Sequence, residues 1–340
     1  MKRIIIDAFG GDNAPKEIIL GALSALEQNK DFIAVLVGRK TEIEKILACE
    51  KYDKSRVEIL DAEDVITCEE EPAMAIRKKT NSSIVVGLKE LKEKEDAVAF
   101  VSAGSTGAVL VGATLRLGRI KGVNRPALCP VLPTITGGKV LLLDSGANAD
   151  CKHVNLCQFA LMGNVYANAL GIENPRVALL SNGTEDEKGN TFSKEVFALL
   201  KQMKGINFIG NIEGRDILSG CCDVVVTDGF SGNVALKAME GAIGVIFKSL
   251  KQEISKSIKS KIGALFLKKS FKNLKKKLDY NNQGGAMFLG TIKPVIKAHG
   301  SSKSVAIANS VLQACALADF NINQKITDKL EEAGDIMKEL

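Results

Sequence analysis

The chain has no tryptophan, only three tyrosines and two histidines, and no C-x-x-C pair among its eight cysteines. So few aromatic faces leave little surface for stacking the bases of single-stranded nucleic acid, and no nucleic-acid motif is present. His153 and His299 are too few for a zinc set, so no metal and no cofactor is expected. The cysteines, at 49, 68, 129, 151, 157, 221, 222 and 315, lack the density of a disulfide scaffold and read as reduced thiols. Cys151 and Cys157 read as small buried residues rather than nucleophiles. No apolar stretch approaches the ~18 residues of a membrane span. Met1-Lys2-Arg3 is followed by three isoleucines and then Asp7, an apolar run too short for a signal peptide. A cytoplasmic protein, at most peripheral to a membrane, is expected. Also missing are G-x-x-x-x-G-K-[ST], a G-x-G-x-x-G after the first strand, and G-x-S-x-G. Their absence argues against a P-loop, the usual dinucleotide site and a hydrolase nucleophile elbow.

What the chain does have is a concentrated positive charge. Residues 248–278 hold eleven lysines and one acid, Glu253, whereas the whole chain is only +6. The remainder is therefore on the acidic side of neutral. Leu250, Ile254, Ile258 and Ile262, then Leu267, Phe271, Leu274 and Leu278, recur at helical spacing. The spacing predicts a basic amphipathic helix, or a pair broken near Gly263, suited to anionic lipid, an acidic protein or nucleic acid. Composition removes nucleic acid. A solvated structural helix is the plainer alternative.

Elsewhere short apolar runs alternate with helix-period segments. Strands are expected at 4–6, 33–37, 57–60, 97–101, 140–143, 177–180 and 223–226, with a helix after Pro15 and another from Ser231. This is the βαβ pattern of a largely parallel sheet covered on both faces. One α/β domain over 1–340 is expected, with the basic arm at 248–278 inside it. A crossover between lobes is expected in the proline-rich stretch 124–138.

Strand ends in such folds gather ligands. Here they are repeatedly glycine-rich and polar: 7–15, 102–107, 144–148, 181–190, 227–233 and 297–302. Any one of them is explained as a tight turn. Six together point to an anion held by backbone N–H groups.

The segments 7–15, 102–107, 144–148, 185–190, 210–217, 223–237 and 296–302 occur in the order found in bacterial phosphate acyltransferases, and the chain resembles that family from Met1 to about Asp319. It departs at Asn13, where histidine is frequent, and at Ser105, where asparagine is usual. The resemblance implies an αβα sandwich like isocitrate and isopropylmalate dehydrogenases, in a homodimer. It implies attack by inorganic phosphate on a long-chain acyl group carried by acyl carrier protein. The acyl phosphate would then serve a membrane glycerol-3-phosphate acyltransferase.

Phosphate can itself be the nucleophile, so the site must bind it, aim it and stabilise an oxyanion. Gly104, Ser105, Thr106 and Gly107 are the candidates for phosphate. Lys188, Lys297 and His299 are the candidates for charge neutralisation and proton transfer. Asp7, Gly10, Gly11, Asp12, Asp144, Asn148, Asn190, Asp228 and Asn233 would orient loops or substrate. Lys256, Lys259, Leu265, Phe266, Lys268 and Lys269 would meet an anionic membrane or the carrier. Plainer roles stand beside these: a solvated loop charge for Lys188, a packing residue for His299, helix caps for the aspartates. Two other enzymes also suit the pattern: a short-chain phosphotransacetylase, and a metal-dependent dehydrogenase. The dehydrogenase would need an arginine cluster, whereas Arg77, Arg116, Arg119 and Arg125 are scattered. A non-enzymatic scaffold for the basic arm is a third reading.

Overall fold

The computed structural model describes residues 1–278 and 284–334, without the side chains of 275–278. Lys275–Lys277 and Leu278, the end of the expected amphipathic pattern, therefore lie outside the described side chains.

The strands are β1 (Lys2–Asp7), β2 (Phe32–Gly38), β3 (Val57–Asp61), β4 (Ala97–Ser102), β5 (Ala127–Cys129), β6 (Val131–Pro133), β7 (Lys139–Leu143), β8 (Arg176–Ser181), β9 (Asn207–Glu213), β10 (Val224–Val226), β11 (Ala286–Leu289) and β12 (Val295–Lys297). The helices are α1 (Lys16–Gln28), α2 (Lys40–Leu47), α3 (Pro72–Lys78), α4 (Ser83–Glu93), α5 (Thr106–Gly112), α6 (His153–Ala169), α7 (Thr191–Gln202), α8 (Gly229–Ser255), α9 (Ile258–Leu278), α10 (Ser304–Asp319) and α11 (Ile322–Glu332).

The α/β class with parallel-rich sheets holds, but the single sheet expected from sequence becomes two. One has seven strands in the order β3-β2-β1-β4-β12-β11-β5, and the other five in the order β6-β7-β10-β8-β9. Among the described residues antiparallel strand pairs occur only at β12–β11–β5 and β6–β7; the rest are parallel. The chain passes from the first sheet to the second at Pro130, between β5 and β6. It returns through α8 and α9. The basic segment is thus part of the second crossing.

Alternation along β1 explains the layers. Ile4 and Ile6 join one apolar cluster with α1 and α10, while Ile5 joins another with α3, α4 and α5. The first cluster runs on through α6 to Leu141, Leu143, Val224 and Val226 of the second sheet. Helix α6 is buried from Val154 to Ala167, as a helix apolar on nearly every face must be.

Two details of the basic segment change. Its first helix starts at Gly229, capped by Asp228, instead of at Ser231. The break falls at Lys256-Ser257 instead of near Gly263, which lies within α9. No residue between Lys237 and Leu274 is buried. Among the described residues no single helix is long and apolar enough to cross a membrane.

Candidate active site

The carboxyl ends of β1, β4 and β12 form one loop system. Asp7 is buried at the end of β1, accepting hydrogen bonds from Ser102 Oγ at 2.6 Å and the Phe9 amide at 3.2 Å. Burial pushes its carboxyl above the usual range, opposed by these bonds and by the charge of Lys297. Ser102 Oγ also accepts the Gly104 amide at 3.0 Å. A Cβ at Gly10 would stand 2.5 Å from Asp7 Oδ2 and 2.6 Å from the Gly104 nitrogen, so close approach requires glycine there. The Asp12 amide donates to the Gly300 carbonyl, and Asn13 Nδ2 donates to the carbonyls of Ser301 and Ser302. Asparagine at position 13 thus clips the first loop to the last.

The second system is organised by Asp144, after β7. Its Oδ1 accepts the amides of Leu128, Gly146 and Ala147, and its Oδ2 accepts the amide and side chain of Asn148. So many donors make it a loop-former, and burial raises its carboxyl above the ordinary value. Helix α8 reaches this loop through glycines: a Cβ on Gly232 would collide with the Asp144 carbonyl. The Gly229 amide donates to the Asn148 carbonyl at 2.8 Å.

Between the two systems lies a cleft of about 330 Å³. Thr106, Gly285, Lys297 and His299 reach it from the first sheet, and Ser145, Gly146, Asn233, Lys237 and Glu240 from the other side. Lys297 ends β12, in register with Ser102 of β4, and is only 7% exposed. Its Nζ donates to the carbonyls of Ala103 and Ala298. Among the described residues no carboxylate forms an ion pair with it. Burial therefore dominates and brings the ammonium down to about 8, despite the more distant Asp7 and Asp12. At neutral pH it is still a cation, with two of its three N–H donors used on carbonyls.

His299 is also pushed down, by partial burial and then by Lys237 and Lys297. A neutral imidazole follows at pH 7. Nδ1 lies 2.9 Å from Ser301 Oγ and 3.3 Å from the Ser301 amide, an arrangement compatible with a ring proton on Nε2. Lys237 is held at 2.8 Å by Glu240, one turn further along α8.

The sequence-derived candidates fall into separate groups. Thr106, Asn233, Lys297 and His299 line the cleft. Asp7, Gly10, Gly11, Asp12, Asp144 and Asn148 build the loops around it. Ser105 is buried and caps α5, its Oγ accepting the Ala108 amide at 3.4 Å. Gly107 has a packing reason, since a Cβ there would stand 2.7 Å from Pro72 Cγ. Asn190 and Asp228 cap α7 and α8 and line a second pocket of about 340 Å³. Lys188 is exposed on the loop before α7 and does not line the cleft. Lys256 lies at the α8–α9 break. Lys259, Leu265, Phe266, Lys268 and Lys269 lie along α9, with Leu265 69% and Phe266 85% exposed.

Sequence reasoning missed Lys237 and Glu240. A helix was expected from Ser231, but no candidate beyond Asn233 was drawn from it, although Asn233 and Lys237 are i, i+4 on one helix face. It also missed β5, β6, β9, β11 and β12, three of which have only three residues.

A family model described as fatty acid synthesis protein matches residues 2–325. The chain is 50% identical to a phosphate acyltransferase of Thermoanaerobacter pseudethanolicus over 334 residues, covering 98% of each chain. It is 46% identical to a phosphate acyltransferase of Bacillus subtilis over 331 residues, covering 97% of this chain and 98% of that one. Among solved structures it resembles a phosphotransacetylase from Streptococcus pyogenes, with TM-score 0.62, 15% identity and 94% of each chain covered. It also resembles a putative 4-hydroxythreonine-4-phosphate dehydrogenase from Salmonella typhimurium, with TM-score 0.54, 14% identity, and 93% of this chain and 99% of that one covered. At such identities the two structures speak to the fold alone.

Proposed function

The chain belongs to the fatty acid synthesis protein family as a phosphate acyltransferase, and on that premise we propose that it moves a long-chain acyl group from acyl carrier protein to inorganic phosphate. The observation that carries this reading is Lys297, a buried cation with no carboxylate partner among the described residues, facing a cleft beside His299 and Lys237. An unpaired buried charge is costly, and an anion entering the cleft relieves it.

Phosphate binds against Lys297, with Lys237 and the hydroxyl of Thr106 within the same cleft. A phosphate oxygen attacks the thioester carbonyl carbon, forming the new C–O bond and a tetrahedral oxyanion. The Nε2–H of neutral His299 donates to that oxyanion. Collapse breaks the C–S bond, releasing the carrier thiolate, which takes a proton from solvent, and acyl phosphate. No Ser or Cys acylation is needed, in keeping with Cys151 and Cys157, which burial pushes up to about 11 and about 12.

The acyl phosphate then serves a membrane glycerol-3-phosphate acyltransferase in phosphatidic acid synthesis. The lysines and exposed apolar residues of α9, Leu265 and Phe266 foremost, dock the enzyme reversibly on the anionic inner face of the membrane from the cytoplasm. Acidic carrier protein is attracted by the same lysines. Exposed Phe230, Val234, Val245 and Ile246 on α8 support a homodimer built on that helix.

The test is acyl phosphate formation, trapped with hydroxylamine, from purified acyl carrier and phosphate. Wild-type protein should form acyl hydroxamate with the carrier thioester and far less with a coenzyme A thioester. Lys297→Ala and His299→Ala are compared singly, with Lys188→Ala as a variant outside the cleft. Full turnover in both Lys297→Ala and His299→Ala would sink the site assignment.

A further inference from the structure

The second pocket differs in chemistry from the cleft. Its lining includes Ser181, Asn182, Asn190, Ser193, Thr227 and Ser231 over an apolar floor of Leu156, Leu179 and Phe192. Asp228 is the one charged residue in that lining; no lysine, arginine or histidine belongs to it. A phosphate is therefore a poor occupant, and an acyl chain would leave the hydroxyls and amides without partners. Ser181 Oγ is buried and has no hydrogen-bond partner among the described residues, a cost that a polar ligand would remove. The pocket fits a neutral ligand carrying amides and hydroxyls together with an apolar face.

Both pockets share the start of α8. Asp228 and Ser231 line the second, and Asn233 and Lys237 line the cleft. At about 100° per residue these two pairs stand on opposite sides of α8, so a ligand that reaches both pockets passes around the start of the helix.

We propose that this pocket holds the pantetheine arm of the thioester donor, while the thioester carbonyl lies in the cleft. The proposal rests on the reading of an acyl carrier thioester as substrate. A pantetheine arm has two amides, a hydroxyl and a geminal dimethyl group, which match the hydroxyl- and amide-rich wall and the leucine–phenylalanine floor. Ser181 Oγ donates to, or accepts from, one of the amides.

The experiment uses the full chain and two thioesters with the same acyl group, one of pantetheine and one of N-acetylcysteamine, which lacks most of the arm. Ser181→Ala removes a hydroxyl that has no partner in the protein, so its melting temperature should hold or rise. It should raise KM for the pantetheine thioester and the acyl carrier about three- to tenfold, the worth of one hydrogen bond. KM for phosphate and for the N-acetylcysteamine thioester should not move. Asn182→Leu, at an exposed position, fills the pocket and should raise the same two KM values further. Equal effects on both thioesters, or none, overturn the proposal. So does a wild-type enzyme that does not prefer the pantetheine thioester, or that accepts the carrier and neither small thioester, because affinity would then come from the carrier's surface. Absence of phosphate-dependent turnover with every thioester instead overturns the acyltransferase reading itself.

Discussion

Lys297 and the lysines of α9 are one side chain in two solvents. Lys297 ends β12 beside β4, donates hydrogen bonds to two carbonyls and loses most of its hydration, so its ammonium is pulled down to about 8. Lys259, Lys268 and Lys269 stand exposed on a helix with no buried described residue, where water and salt screen each charge. The first arrangement holds one poorly hydrated charge at the wall of a cleft. The second spreads many screened charges across a surface. Density of lysine in the sequence therefore marks the exposed basic helix, while the cation proposed to meet phosphate is a single lysine in an apolar run.

The comparison breaks most sharply at Lys297→Met. Loss of the buried cation should lower kcat/KM for phosphate by about 10²- to 10³-fold, the usual scale for one preorganised electrostatic contact. Steady-state kinetics with varied phosphate checks it. Lys268→Gln with Lys269→Gln should leave that constant unchanged in the absence of vesicles. Partition onto anionic vesicles at low salt should fall about 30-fold, at roughly 1 kcal/mol for each lysine. Sedimentation at low and high salt reads it out, and binding indifferent to lipid charge would count against docking by charge.

A smaller effect separates the two kinds of lysine by pH. The charge on Lys297 is lost as pH rises through about 8, so KM for phosphate should climb toward tenfold per unit above that pH. The Lys297→Met variant should lack this rise. Stability moves the opposite way. The folded state holds the Lys297 proton less tightly than the unfolded chain, whose lysine titrates near 10.5. The cost of burying the charge is thus fully present below pH 8 and is relieved between about 8 and 10.5. The relief amounts to about 3 kcal/mol for a shift of this size. Urea unfolding of wild type and Lys297→Met across that window should show a difference in slope of that sign. The smallest effect is expected at pH 7, where Lys297→Met should hold the unfolding free energy within about 1 kcal/mol or raise it.

Much of the scaffold was legible. The strands expected at 4–6, 33–37, 57–60, 97–101, 140–143, 177–180 and 223–226 all form, because each is a run of apolar residues bounded by turn chemistry. The glycine-rich loops were legible for the same local reason. The division into two sheets was not, since β5 and β6 are three-residue strands whose pairing partners, β11 and β7, lie elsewhere in the chain. Lys297 could be singled out by its place before His299, but nothing local distinguished it from exposed Lys188. Gly107 resembled a phosphate contact and has a packing role beside Pro72.

By itself the sequence determined the α/β class, the order of the loops and the charge of the basic helices. Periodicity, turn propensity and composition are local properties that neighbouring residues express together. Only the tertiary structure decided which lysine is buried, which helix face enters the cleft and that two pockets adjoin one helix start. Those outcomes depend on burial and on contacts between segments far apart in the chain. Desolvation by those distant segments is what turns one lysine among forty-six basic residues into a buried cation at the cleft.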